Sequence, residues 1–338
     1  MTLDVHAHVV VPEITREAGE GETWRPLVYR DEAGAQVVEF DGKEIRSALA
    51  EFTHIDGILA AQDEAGVDRV LLSPWVPLLY YDVEPDEGLR RARIQNNALA
   101  ALVRAHPERI AALGALPLQA PELAAAELRA LIDDGTLRGV EVAASVRGTF
   151  LGDDRFAPLW EAAEATGALV FVHPTTRGFD SPAFQDHYLW NTVGNPLETA
   201  TTAAHMVMAG VMERHAGLRV LLAHGGGALL SLRGRLRHAH SFQPQARASL
   251  RESPDDSIRR FYFDTLTHDD ALLRALIDYV GADHVLLGSD YPFDMGDARH
   301  AHTIRTLALA PEVEGAILAG NAERLLGLER ARREETMT

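Results

Sequence analysis

The sequence predicts a (β/α)8 barrel with a small β-hairpin insertion after its first strand. Three observations carry that expectation. Eight short β-branched runs alternate with Ala/Leu-rich stretches of helical spacing, the pattern of βα units around a parallel sheet. The runs extend over about 290 residues, a length that suits such a barrel. The residues best able to do chemistry fall at the carboxyl ends of the strands, where barrels of this type carry their sites. A doubly wound open sheet is the alternative arrangement of the same units.

The first strand covers residues 3–8 and ends in His6-Ala7-His8. Side chains two apart on a strand share a face, so two imidazoles leave it side by side, spaced to grip one metal ion. Residues 13–45 then break the pattern. Segments 24–30 and 36–40 flank Asp31-Glu-Ala-Gly34 and read as a hairpin laid over the barrel mouth. The piece is too short for its own core, so residues 1–338 form one domain carrying an insertion. A helix at 54–65 leads to strand two, 69–73. Helix 88–106 follows, with Arg90, Arg91 and Arg93 facing outward. Strand three is 110–116, helix 120–133, strand four 139–144, helix 155–166 and strand five 168–173. Helix 197–216 precedes strand six, 219–224. Strand seven is 261–264, helix 269–280, strand eight 284–290 and helix 300–309. The tail beyond Leu328 is charged and reads as a frayed helix.

Composition narrows the chemistry. With 32 basic and 50 acidic residues the chain carries −18, a surface that repels phosphate backbones and argues against nucleic acid. Cysteine is absent, which removes disulfides, Cys-ligated zinc and thiol nucleophiles and suits the cytoplasm. No basic segment followed by an apolar one precedes the first strand, so no signal peptide is expected. No apolar run reaches the roughly 18 residues that span a bilayer. Lys43 is the only lysine and lies in the insertion, which argues against a Schiff base and against a carboxylated lysine bridging two metals.

The strand ends, taken in order, assemble a donor set. Strand one offers His6 and His8, strand five ends in Phe171-Val-His173-Pro, strand six in Leu222-Ala-His224-Gly-Gly-Gly227 and strand eight in Gly288-Ser-Asp290-Tyr-Pro-Phe293. Three histidines and a carboxylate suit zinc or a similar divalent ion with one position open. The remaining histidine titrates near neutrality and is a candidate acid/base. The glycines at 225–227 either expose backbone at the mouth or simply form the turn that starts a helix. Asp264 and His268, after strand seven, are candidates to orient a ligating ring; a helix cap and a surface histidine are the plain alternatives. The other histidines occupy helix or loop positions without strand-end geometry.

The chain resembles the amidohydrolase superfamily, in the amidohydrolase-related group that contains aminocarboxymuconate-semialdehyde decarboxylase. The resemblance runs from His6 to about Leu328. It is carried by the strand-end motifs together with Gln95-Asn-Asn-Ala-Leu-Ala, Leu113-Gly-Ala-Leu-Pro-Leu-Gln-Ala-Pro-Glu122 and Ala319-Gly-Asn-Ala. It implies one metal, usually zinc with manganese possible, bound by His6, His8, His173 and Asp290, and His224 as the base that activates a water on it. It implies non-oxidative loss of carbon dioxide from a small unsaturated or aromatic acid, with a proton delivered to the carbon that bears the carboxylate. A metal-dependent hydrolase or hydratase would use the same site. The family grips the substrate carboxylate with two arginines, one supplied by a partner subunit. Arg235 matches that one and predicts a homodimer. Leu49 stands where the other is expected, and Arg177, beyond the strand-five ligand, is its candidate replacement. Asn191 stands where a tryptophan is expected near the mouth, with Trp190 beside it. Arg147 and Trp75 also sit at strand ends. Strand four contains no lysine, which favours one metal.

Overall fold

A computed structural model describes residues 1–17, 19, 21–40, 43–45 and 52–328; Leu49 and the charged tail lie outside the described residues. Eight strands alternate with helices in the predicted order. They are β1 (Leu3–Val9), β6 (Arg69–Pro74), β7 (Ile110–Ala112), β8 (Gly139–Ala143), β11 (Leu169–His173), β12 (Arg219–Leu222), β13 (Tyr262–Asp264) and β14 (Val285–Leu286). All pairings among them are parallel, in two arcs, β1-β6-β7 and β8-β11-β12-β13-β14. A bridge between Gly114 and Val140 joins the arcs on one side. On the other, Val5 N–H donates to Leu287 O, Asp290 N–H to His6 O and His8 N–H to Tyr291 O, each at 2.8 Å. The barrel is thereby closed.

Local chemistry sets the element boundaries. The helices Pro85–Ala105, Pro121–Asp134, Ala157–Thr166 and Asn195–Met208 each carry proline in their first turn, and Gly135 and Gly167 cap two of them in the left-handed conformation. Proline has no N–H to lose there, and glycine takes positive φ without a Cβ penalty. Strands alternate between two apolar layers. Leu169 and Phe171 point into the barrel with Leu3, Val5, Leu71, Leu221 and Leu286, and the helix Asn321–Leu326 plugs the amino-terminal end through Ala322 and Leu325. Val170 and Val172 face the surrounding helices.

Several expectations change. Strands three and six end early, at Ala112 and Leu222. Strand eight is shorter than predicted, ending at Leu286: Gly288 lies two residues on, and a Cβ there would fall 2.8 Å from that of Asp264 and 2.9 Å from that of His6. The chain is pressed against the first strand and leaves regular pairing. The insertion is a four-stranded sheet rather than a lone hairpin, with β2 (Arg16–Glu17), β3 (Leu27–Arg30), β4 (Gln36–Phe40) and β5 (Lys43–Ile45) in sequential order. The hairpin β3–β4 lies at its centre, since two strands alone are marginal in water. Arg91 turns inward instead of outward; its guanidinium lies 4.7 Å from the ring centroids of both Trp24 and Tyr80.

Asp4 closes the seam between strands eight and one. Its buried carboxylate accepts from His6 N–H (3.0 Å), Ser289 N–H (3.1 Å), Ser289 Oγ (2.5 Å) and Gln62 Nε2 (3.3 Å). Asp4→Ala strands these donors in the core. The expected loss is ~3 kcal/mol of stability, read as a lower denaturant midpoint at unchanged slope; an unchanged midpoint would remove Asp4 from this role.

Candidate metal centre

The strand-one pair reaches the barrel interior through an irregularity. Leu3 and Val5 point inward, and regular alternation would send His6 outward. The β1–β6 register shifts between Asp4 and Ala7, so His6 and His8 face the interior while Ala7 and Val9 join the outer layer. Bulges beside active sites re-aim side chains in this way. His173 follows Phe171 inward at the end of β11, and Asp290 lies just beyond β14 with φ of 58°.

These four residues converge. One ligand atom from each lies within 4.8 Å of all the others. Asp290 Oδ1 stands 3.1 Å from His6 Nε2, 3.3 Å from His8 Nε2 and 4.0 Å from His173 Nε2. All four atoms are buried and make no hydrogen bond, although buried polar atoms normally do. A tetrahedral shell with donors 2.0–2.1 Å from zinc spaces them about 3.4 Å apart, so the set fits a divalent ion. The far ring nitrogens fix the imidazoles: His6 Nδ1 is 2.6 Å from Asp264 Oδ2, His173 Nδ1 is 2.9 Å from Pro174 O, and His8 Nδ1 is 3.3 Å from Pro74 O and from Ser73 Oγ. Each Nε2 is thereby aimed at the common point.

Electrostatics agrees for two ligands and costs a proton at a third. Burial, then the neighbouring His8, His224 and His6, hold His173 well below its ordinary pKa, in the neutral form that ligates. Burial alone would raise Asp290, but His6 and His224 outweigh it and keep the carboxylate ionised. Burial lowers His6, yet Asp290 and Asp264 overcome that and push it up to about 10.

His224 sits at the edge of the centre. Its Nε2 is 3.2 Å from Asp290 Oδ2, its Nδ1 is buried without a hydrogen bond, and its φ is 57°. Asp264 holds this turn, accepting from His224 N–H (2.9 Å) and Gly225 N–H (2.7 Å). The glycine run is therefore a turn into the helix Leu229–Phe242, and the Gly225 backbone is spent on Asp264 rather than offered to a ligand. Asp264 is an orienting residue; His268 is exposed.

Beside the centre opens a cavity of about 550 Å³. It begins at Thr175, two residues past His173, and its wall includes none of the four ligands nor His224. Trp24, Phe40, Tyr80 and Phe150 line it together with Arg91, Arg147 and Arg177. Arg147 is committed to Tyr81 O and Val83 O (2.8 and 3.1 Å), and Arg91 to Glu87 (2.7 Å). Arg177 holds only a loose pair with Asp82, at 3.6 Å. Trp190 and Asn191 do not form this wall; they belong to a π-turn, Trp190–Gly194, with the Trp190 ring against Tyr188. Trp75 is buried against Phe52. Arg235 is exposed on the helix Leu229–Phe242 and, among the described residues, makes no hydrogen bond or ion pair, whereas Arg237 binds Asp255 (2.6 Å) and Arg233 stacks on Tyr279. Sequence reasoning overlooked Glu141. It lies in step with Phe171 across the β8–β11 pairing and so points inward, a signal available from the strand register alone.

A family model described as Amidohydrolase matches residues 3–328. The 2-amino-3-carboxymuconate-6-semialdehyde decarboxylase of Dictyostelium discoideum is 31% identical over 335 residues, 97% of this chain and 92% of its own. The gamma-resorcylate decarboxylase of Polaromonas sp. is 28% identical over 319 residues, 89% and 94% of the two chains. The crystal structure of 5-carboxyvanillate decarboxylase LigW from Sphingomonas paucimobilis matches with a TM-score of 0.81 at 26% identity, covering 96% of this chain and 98% of that one.

Two measurements test the centre. His173→Ala and Asp290→Ala are expected to lower bound metal to a small fraction of wild type; full metal content in either would overturn its assignment. Because the His6 pKa is raised to about 10, the ring holds a proton at neutral pH that a metal must displace. Metal affinity is then expected to rise with pH, up to about tenfold per unit, until the pKa is passed, with one proton released on binding. Titration calorimetry in buffers of different ionisation heat reads that proton directly.

Proposed function

The chain belongs to the amidohydrolase family, and from that premise we propose that it is a metal-dependent, non-oxidative decarboxylase of a small unsaturated or aromatic carboxylic acid. The observation that carries the reading is the convergence of four unpartnered ligand atoms with His224 beside them, in a chain 31% identical to a decarboxylase over nearly its whole length.

His6, His8, His173 and Asp290 would hold the ion. When bound, it supplies Lewis-acid polarisation, the means by which divalent ions acidify water towards neutrality. Zinc is the ion we assign, since three imidazoles and one carboxylate are a donor set it favours; manganese is the alternative. The chain's own part is proton handling and placement. His224 takes a proton and gives it to the substrate carbon that bears the carboxylate. That carbon becomes tetrahedral, its bond to the carboxylate breaks, the electron pair restores the conjugated system, and carbon dioxide leaves. Asp290, 3.2 Å from His224 Nε2, orients the ring.

The aromatic wall fits a planar acid, and Arg177, held by an exposed ion pair at 3.6 Å, is the least committed of its three guanidiniums among the described residues. We assign Arg177 to a substrate carboxylate, in place of the arginine that Leu49 lacks. Arg235, uncommitted among the described residues, is assigned to the partner's site in a homodimer. Trp24 and Phe40 reach the cavity from the insertion, which we take as a cover on a single barrel domain. No described helix is long and apolar enough to cross a membrane; we place the protein in the cytoplasm on its lack of cysteine.

The test is release of labelled carbon dioxide from a panel of carboxyl-labelled conjugated and aromatic acids. A substrate in that panel is expected. Amide, lactone or hydration turnover without carbon dioxide would replace the proposal by a hydrolase or hydratase. With a substrate in hand, His224→Ala is expected to keep its metal and lose about three orders of magnitude in kcat, in the range of general acid–base catalysis. Arg177→Ala raises KM with little change in kcat if it contributes binding alone. A fully active monomer by solution sizing would remove Arg235 from the site.

A further inference from the structure

We propose that Glu141 is the charged acceptor for the Nδ1–H of His8, a positioning residue that stiffens the metal centre from inside the barrel. The inference rests on reading the four residues as a metal centre, and not on which reaction follows.

Glu141 is fully buried in the middle of β8. Its Oε2 lies 3.7 Å from His8 Nδ1, and neither carboxylate oxygen makes a hydrogen bond of ordinary geometry. Ser73 lies beside it, but that hydroxyl is engaged with Ala7 O and His8 Nδ1, both at 3.3 Å. A buried carboxylate left unpaired is costly, and one kept in a core has a partner. Ser73, Tyr81 and His8 all bring a donor near it, and of these His8 is the one whose other ring nitrogen faces the ion site.

The three ligating histidines differ in how their rings are held. His6 has a carboxylate at 2.6 Å and His173 a carbonyl at 2.9 Å. His8 has only two neutral contacts at 3.3 Å, longer than the usual range for a firm bond. A cation on Nε2 withdraws density from the ring and makes Nδ1–H a better donor. It then favours the one anionic acceptor in reach, since charge-assisted bonds are roughly twice as strong as neutral ones. Glu141 would close from 3.7 Å to about 2.8 Å, a rotation of one side chain. Carboxylates would then stand behind both histidines of strand one, Asp264 behind His6 and Glu141 behind His8.

The experiment measures zinc affinity by chelator competition in Glu141→Leu, Glu141→Gln and Ser73→Ala, with thermal unfolding of each metal-free protein alongside. Expected is a zinc dissociation constant raised about 10- to 100-fold in Glu141→Leu. The rise is smaller in Glu141→Gln, whose amide oxygen still accepts. The metal-free midpoint of Glu141→Leu stays level or rises, because an apolar side chain of similar size replaces a desolvated carboxylate. Ser73→Ala keeps wild-type affinity. Affinity within about twofold of wild type in both Glu141 variants overturns the proposal, as does a loss matched by a fall in the metal-free midpoint, or a larger loss in Ser73→Ala. Should Glu141→Leu fail to fold, Glu141→Gln decides alone, a rise of roughly threefold or more supporting the role and less overturning it. Wild-type protein that takes up no zinc would instead end the reading of the centre itself.

Discussion

The Asp264 carboxylate is the constraint on which the rest of the site depends. It receives His6 Nδ1 on one oxygen together with the His224 backbone N–H, and the Gly225 N–H on the other. A single group at the end of the seventh strand therefore fixes a ligand on the first and the turn after the sixth. Burial would push its pKa up; its bond to His6 and the charges of His6 and His224 hold it down instead. The ionised form is the one that can accept all three donors. His6 and His224 are thus registered to each other before any ion or substrate arrives, a preorganisation that would serve the proposed reaction.

The acidic protein concentrates its useful positive charge in the cavity. Against −18 overall, three guanidiniums lie in one wall, and they are not equivalent. Two are consumed by holding structure: Arg147 ties down the Tyr81–Val83 segment, and Arg91 staples helix Pro85–Ala105 to Trp24 of the insertion. The third, Arg177, is paired only at 3.6 Å with exposed Asp82, an ion pair worth little in water. On the proposed reading, an incoming carboxylate would meet a partner that is already charged and easily released. The same division recurs on the helix Leu229–Phe242, where Arg233 stacks on Tyr279 and Arg237 binds Asp255 while Arg235 makes no hydrogen bond or ion pair among the described residues.

Much of this was legible in the sequence because period and position coincide. The alternation of β-branched runs with helical stretches gave the barrel, and residues at strand ends gave His6, His8, His173, His224 and Asp290. Other features depend on contacts that no local pattern encodes. The register shift between Asp4 and Ala7 is a property of the β1–β6 pairing, and without it His6 would face the helices. Strand eight read as seven residues from its apolar run, but Gly288 lets the chain crowd His6 and end early. Arg91 lies between outward Arg90 and Arg93 in the chain but on a different helix face, and it meets the rings of Trp24 and Tyr80, which come from distant segments. Glu141 was hidden by its setting: a lone acid in an apolar strand draws the eye for what the strand lacks, a lysine, rather than for what it holds.

The backbone shows where such a site stores its cost. Tyr80, Arg147, Thr176, His224, His268 and Asp290 are non-glycine residues with φ between 50° and 63°, and each follows a barrel strand on the catalytic side. A left-handed residue other than glycine costs of order 1–3 kcal/mol unless its surroundings impose it. Here the impositions are visible. Asp264 holds the His224 turn, the bond from Asp290 N–H to His6 O holds Asp290, and Arg147 is anchored by two carbonyls. At the opposite end the interior is plugged by apolar side chains of the last helix and needs no such devices. The fold thus separates its tasks by end: packing at the amino-terminal end supplies stability, and hydrogen bonds at the carboxyl-terminal end spend part of it to hold His224 and Asp290 in conformations the free chain would avoid.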